Sequence, residues 1–247
     1  MISCKLQGGL GNYLFQIAAM HSLSSDVGFD VDNAVQVHGD IKTYLSNILR
    51  KIKTNVDKLS YQYNEPEFTY QPLPYHDETL YIGYFQSEKY LQRDTVLDLF
   101  AIDDETLKYL KEKYADVLSN SVSLHVRRGD YLHKQNRHPA QKMSYYTTAL
   151  EHFEEADNIL IFSDDIDWCK ENFIGDQFTF ITDEKDYMDL WLMSLCDHNI
   201  IANSSFSWWG AWLNQNVDKK VIAPSNWFGP AKKINAKDIY CENWIVI

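Results

Sequence analysis

A chain of 247 residues, 45% hydrophobic and 14% aromatic, can bury a sizeable core, which excludes a disordered protein and leaves room for two packed units. Its formal net charge of −12 excludes broad nucleic-acid binding, because affinity for a phosphate backbone comes from clustered Lys and Arg, so an anionic ligand must be held locally. No run approaches the roughly 20 apolar residues that cross a bilayer, Met1 to Lys5 lacks a leader profile, and the four cysteines form no C-x-x-C pair. The expectation is a cytoplasmic protein with reduced thiols and no zinc site.

In chain order, Ile2 to Leu6 alternates like a strand, Gln7-Gly8-Gly9-Leu10-Gly11-Asn12 forms a glycine loop, and Leu14, Ile17, Ala18 and His21 mark a helix. Residues 30–80, broken by Pro66, Pro72 and Pro74, read as loop with short elements. Thr79 to Phe85 resembles a strand, Glu88 towards Phe100 a helix, and Asp103 to Leu118 an amphipathic helix. Lys51 to Lys58 reads as a solvated face. Beyond it the pattern becomes regular. Strands are predicted at 121–126, 159–162, 178–181, 199–202 and 220–223, and helices at 144–153, 167–173, 187–196 and 205–214. Alternating strands and helices define α/β architecture with a parallel sheet covered on both faces, whose ligands bind beyond the carboxyl ends of the strands. The division expected is 1–110 and 111–247.

Three of those strand ends carry chemistry. In His125-Val126-Arg127-Arg128-Gly129-Asp130-Tyr131 the period of two points His125 and Arg127 the same way, and an arginine fork suits phosphate oxygens. Arg128 shares the parity of Val126 and is expected to turn towards protein or a carboxylate such as Asp130. An Arg–Asp brace of the loop is the plainer alternative. In Ser163-Asp164-Asp165-Ile166-Asp167, one Asp can accept the two parallel N–H groups of guanine, cap a helix, or join Asp165-x-Asp167 as a divalent-cation motif. Asn203-Ser204-Ser205 precedes a helix, so hydroxyls and free N–H groups gather as they do for a diphosphate. Trp208, Trp209 and Trp212 read as helix packing. Gly8-Gly9-Leu10-Gly11-Asn12 could likewise bring N–H groups to an oxyanion, but lacks both the dinucleotide and the P-loop spacing. His21, His38, His76, His133, His138, His152 and His198 have no zinc-ligand spacing.

Taken together, Gly8 to Gln16, Gly83 to Glu88, His125 to Asp130 and Asn203 to Trp209, with Ser163-Asp164-Asp165 between the last two, resemble the α-1,2-fucosyltransferases of glycosyltransferase family 11, in order across the whole chain. The resemblance implies a GT-B-like α/β fold of two Rossmann-like units, an acceptor-side unit at 1–110 and a GDP-fucose-binding unit at 111–247. It implies that Arg127 neutralises the β-phosphate, that His125 and Asp165 hold guanine, and that Ser204 and Ser205 meet phosphate oxygens, with Arg128 and Asn203 among the donor-binding residues. It places Gly9, Gly11 and Asn12 at the fucose–phosphate junction, with Asn12 near the reacting centre. Tyr13 departs from the Gln frequent at that position. The chain is short for the family, which implies a trimmed acceptor-side unit.

The implied reaction is a single displacement with inversion, from GDP-fucose to an α-fucoside on a galactose-containing oligosaccharide or polysaccharide. Charge growing on the leaving diphosphate is the main thing to stabilise, and fixed positive groups would do this without a metal or other cofactor. Asp130 is the candidate base. No nucleic-acid partner is expected, and membrane contact only peripherally, through a lipid-linked acceptor. Two other readings stand beside it: a metal-dependent transferase using Asp165-x-Asp167, and a non-enzymatic protein stacking sugars on its tyrosines and tryptophans.

Overall fold

The computed structural model describes residues 1–247. They cluster into two compact units, residues 1–102 with 235–241, and residues 103–234 with 242–247.

The first unit begins with strands β1 (Ser3–Cys4) and β2 (Gln7–Gly8), helix α1 (Leu10–Leu23), strand β3 (Val35–Gln36) and the one-turn helix α2 (Ile41–Tyr44). Strands β4 (Tyr61–Asn64) and β5 (Thr79–Ile82) follow, then helix α3 (Arg93–Leu99). All pairings are parallel: β5 lies between β1 and β4, and β2 pairs with β3. Helix α1 is buried along most of its length, Tyr13 to Met20 being almost wholly inaccessible. That explains why its apolar residues run all round the helix instead of forming one stripe. The returning segment 235–241 is tied into this unit by Asp238, which accepts from Lys89 Nζ and the Tyr70 N–H.

Two expectations for this unit are corrected. The strand predicted to Phe85 stops at Ile82, because Gly83 leads into a turn in which Phe85 takes φ +52°. The single helix predicted from Glu88 is a 3-10 turn at Glu88–Tyr90 and a separate α3; Leu91 and Gln92 between them are extended, and the Gln92 N–H donates to Ser22 Oγ.

The second unit opens with α4 (Asp104–Lys113), capped by Asp103, whose carboxylate accepts the Thr106 N–H at 2.9 Å. Then come β6 (Ser121–Val126), α5 (Met143–Leu150), β7 (Asn158–Ser163), α6 (Ile166–Asn172), β8 (Phe178–Phe180), α7 (Asp186–Leu195), β9 (His198–Ile200), α8 (Ser205–Leu213), β10 (Val221–Ala223) and β11 (Ile245–Val246). They form one parallel six-stranded sheet in the order β11-β10-β9-β6-β7-β8. The sequence reading missed β11, whose Ile245 and Val246 are too short a run to show a period.

Strand β6 is buried on both faces. On one side Val122, Leu124 and Val126 join Ile159, Ile161, Ile200 and Ile222 beneath Tyr146, Phe153 and Phe173. On the other, Ser123 Oγ accepts from Asn199 Nδ2 at 2.7 Å, and Asn199 Oδ1 accepts from Asn214 Nδ2 at 2.9 Å, so these buried polar groups satisfy one another. Helices α7 and α8 pack so closely that a side chain on Gly210 would lie 2.8 Å from Met193 Cβ. Trp208, Trp209 and Trp212 are buried here as the spacing suggested, and truncating one to Ala should cost about 3–5 kcal/mol. This rigid frame fixes the carboxyl ends of β6, β7 and β9, where the loops with the charged residues begin.

Candidate active site

His125, the penultimate residue of β6, is 6% exposed, and its ring centre lies 5.5 Å from that of Phe206. Its Nδ1 is buried without a hydrogen-bond partner. Burial and then the neighbouring Arg127 charge pull its pKa down to about 3, so the imidazole is neutral at physiological pH.

Beyond Val126 the alternation of the strand ends. Arg128 adopts φ −128°, ψ −59°, and Gly129–His133 winds into a 3-10 turn that brings Asp130 back under Arg127. Arg127 Nη2 lies 2.7 Å from Asp130 Oδ1, and its Nη1 lies 3.0 Å from Asp164 Oδ2. Arg128 points to the next strand end: its Nε meets Asp165 Oδ2 at 2.9 Å, its backbone N–H donates to Asp164 Oδ1 at 2.8 Å, and its guanidinium carbon sits 4.0 Å from the Trp168 ring centre. Arg128 thus turns to protein and a carboxylate, as its parity suggested, but the carboxylate is Asp165; Asp130, the example offered by sequence, pairs with Arg127 instead, because strand parity does not extend into the turn. Gly129 is needed for this closeness, since a Cβ there would stand 2.4 Å from Asp164 Oδ2.

Asp130 also accepts from Lys134 Nζ at 2.8 Å. Burial works to raise its carboxyl, but the pairing with Lys134 and Arg127 outweighs this and holds it below the ordinary value. A carboxylate so held is a weak base, which bears on the role considered for it. Tyr131 lies under Arg127, ring centre 5.3 Å from the guanidinium carbon, and donates to Asn203 O at 3.1 Å.

Asp165 is the N-cap of α6, accepting the Trp168 N–H at 3.4 Å, and its own N–H donates to Ser163 Oγ. Capping and the pairing with Arg128 thus coexist on one carboxylate. Asp167 lies on the exposed side of that helix, and no group of three or more His, Cys, Asp or Glu is placed to hold a metal ion.

At the third strand end, Asn203 is a buried brace: Oδ1 accepts from Gln141 Nε2, and Nδ2 donates to Pro139 O and Trp227 O. Ser204 caps α8 through the Phe206 N–H at 3.3 Å. Ser205, the first helical residue, is half-buried. The nine-residue α8 therefore presents its positive end next to the arginine-bearing strand end of the same sheet.

In the first unit, Gly8 has φ +107°, a conformation suited to glycine, and a Cβ there would lie 2.2 Å from Asn12 Nδ2. No side chain caps α1 at Gly9, and Gly11 and Asn12 form its first turn. Asn12 Oδ1 accepts from Gln86 Nε2 at 2.7 Å. Tyr13 is wholly buried, its hydroxyl without a hydrogen-bond partner. Tyr131, Trp168, Gln86 and the partnering Asp164 were not assigned a role from sequence. Gln86 lay inside a motif already noted, and Trp168 stands three residues after the Asp165 cap.

Parallel α/β units with an arginine at one strand end and a hydroxyl-capped helix at the next describe a GT-B-like glycosyltransferase fold. The chain matches Glycosyl transferase family 11 over residues 2–247 and belongs to that family. It is 36% identical over 180 residues to the O-antigen biosynthesis glycosyltransferase WbnK of Escherichia coli, covering 66% of this chain and 59% of that protein. It is 38% identical over 183 residues to an alpha-1,2-colitosyltransferase of Escherichia coli, covering 68% and 62%. The chain thus spans about three fifths of the length of these relatives. The fucosyltransferase NodZ from Bradyrhizobium shares the fold, with a TM-score of 0.53 at 12% identity, covering 85% of this chain and 92% of that one. No helix is long and apolar enough to cross a membrane.

Proposed function

We propose that this chain transfers L-fucose from GDP-fucose to a hydroxyl of a galactose-containing glycan, forming an α-1,2 link with inversion. The observation that carries the reading is Arg127, buttressed by Asp130 and Asp164 at the carboxyl end of β6. A guanidinium held at its two terminal nitrogens by two carboxylates loses little freedom on meeting a diphosphate, and preorganised charge of this kind is what a departing GDP requires. Ser204, Ser205 and the start of α8 supply further donors for the phosphates. Neutral His125, Asp165 and the Arg128 that Asp165 orients form the guanine side of the same pocket, with Asn203 bracing it. Asn12, with Gly9 and Gly11, serves the transferred sugar. Fixed cations do the work of a metal, so no cofactor enters. Asp130 contributes by holding Arg127 and is the candidate base for the acceptor proton.

The relative's α-1,2-colitosyl activity favours one second reading, in which the donor sugar is colitose and the nucleotide site is unchanged. A panel of nucleotide sugars, GDP-fucose and GDP-colitose against UDP- and ADP-sugars, tested for binding and turnover, separates the two. Turnover of UDP-sugars in preference to both would sink the GDP assignment. The reaction is assigned to the cytoplasm, with a lipid-linked glycan as the acceptor class that brings the protein to a membrane surface.

A further inference from the structure

Glu65 follows β4 directly, and its N–H donates to Ile82 O at 2.8 Å, continuing the ladder with β5. Its side chain then reaches across to the turn that leaves β5. The Tyr84 N–H donates to Oε2 at 2.7 Å, and the Phe85 N–H to Oε1 at 3.1 Å and Oε2 at 3.3 Å. Two successive N–H groups converging on one carboxylate form a small anion nest, and the nest needs Phe85 at φ +52°, which a bulky residue seldom adopts. Gly83 leaves the space: a Cβ there would lie 2.5 Å from Glu65 Cβ and 2.7 Å from its Oε2.

The other side of the turn is gripped by Gln16, a wholly buried residue of α1. Its Nε2 donates to Gly83 O at 3.1 Å, and its Oε1 accepts the Gln7 N–H at 3.0 Å. The Phe85 ring is buried edge-on to Tyr90. A turn held so firmly delivers Gln86, 8% exposed, whose Nε2 donates to Asn12 Oδ1 at 2.7 Å. This bond fixes the amide plane of Asn12, whose Nδ2 lies where a Gly8 side chain would be. Burial raises the Glu65 carboxyl above its ordinary value, the two backbone N–H groups opposing this. A partly desolvated carboxylate is a costly way to close a turn if closing the turn were its whole task.

We propose that Glu65 is a positioning residue for sugar transfer: by holding Tyr84 and Phe85 in the left-handed turn it sets Gln86, and through Gln86 it orients Asn12. This rests on the reading that Asn12 serves the transferred sugar. The chain of contacts runs Glu65, the Tyr84–Phe85 amides, Gln86, Asn12, and every link lies within the first unit.

The test uses Glu65→Gln, Gln86→Ala and the double variant of the full chain, with steady-state kinetics, GDP binding and thermal melts. Kinetics are run with whichever GDP-sugar the parent turns over, so a wrong donor and a wrong role for Glu65 give different results. Each single variant should lower kcat about tenfold while KM and GDP affinity stay within about twofold, and the double should lose no more than the worse single, because both act in series on one group. Glu65→Asp, which withdraws the carboxylate by one methylene, carries the same expectation if Glu65→Gln does not fold. A folded Glu65 variant with kcat within twofold of the parent overturns the proposal. So does a double variant losing about a hundredfold, the product of two independent effects.

Discussion

The guanidinium of Arg128 lies 4.0 Å from the centre of the Trp168 ring, stacked on the helix that Asp165 caps. Its neighbour Arg127 is held by Asp130 and Asp164 and lies over the Tyr131 ring. The two adjacent arginines therefore have different work, and substitution should separate them.

Arg127→Ala should lower kcat by roughly 10² or more, the scale of losing one preorganised donor to a leaving group. Arg127→Lys should recover little, since an ammonium cannot hold two carboxylates and a phosphate with one planar fork. Arg128→Ala should instead raise KM for GDP-fucose and lower the melting temperature, with kcat less affected. Steady-state kinetics beside thermal melts decide it, and near-parental kcat in Arg127→Ala would remove that residue from the mechanism.

Asp165 caps α6, pairs with Arg128 and is proposed to meet the base, and two substitutions divide the cap from the other two tasks. Asp165→Ala loses the α6 cap, at a cost of about 0.5–2 kcal/mol, together with discrimination for GDP. Asp165→Asn keeps a capping oxygen and so should melt closer to the parent, yet still lose base preference, because its amide cannot offer guanine two acceptors. Competition among GDP, ADP and UDP by calorimetry provides the readout; an Asn variant as selective as the parent would show that Asp165 does not read the base.

Turnover of GDP-fucose should survive EDTA to within about twofold, since Asp165 is engaged by Arg128. Abolition by EDTA with rescue by manganese would favour the Asp165-x-Asp167 reading.

His125 should make the protein acid-sensitive. Its folded pKa, about 3, lies below the unfolded value near 6.5, so as pH falls the unfolded chain takes the proton first. The stability it contributes is complete above pH 6.5 and is lost as pH falls towards 3, by about 1.4 kcal/mol per unit. His125→Phe should therefore flatten the fall of melting temperature between pH 6 and 4 relative to the parent. Parallel curves would mean that His125 is charged or hydrated in the folded protein.

The sequence by itself determined the α/β class, the parallel sheet of the second unit and the three strand ends, because the period-two alternation of apolar Val122, Leu124 and Val126 with polar residues and the continuous run Ile159 to Phe162 have few other physical outcomes. It also allowed a helix cap by one Asp of the Asp164-Asp165 pair, and the structure puts that cap at Asp165. Only the tertiary structure decided which carboxylate meets which arginine, since Asp130 is near both in sequence and the Gly129 turn chooses between them. The same holds for Glu65, silent in a tyrosine-rich stretch without periodicity: its partners Tyr84 and Phe85 lie 19 and 20 residues away. Local patterns encode which face of a strand or helix is buried, whereas pairing between loops depends on chain separations that no local period records.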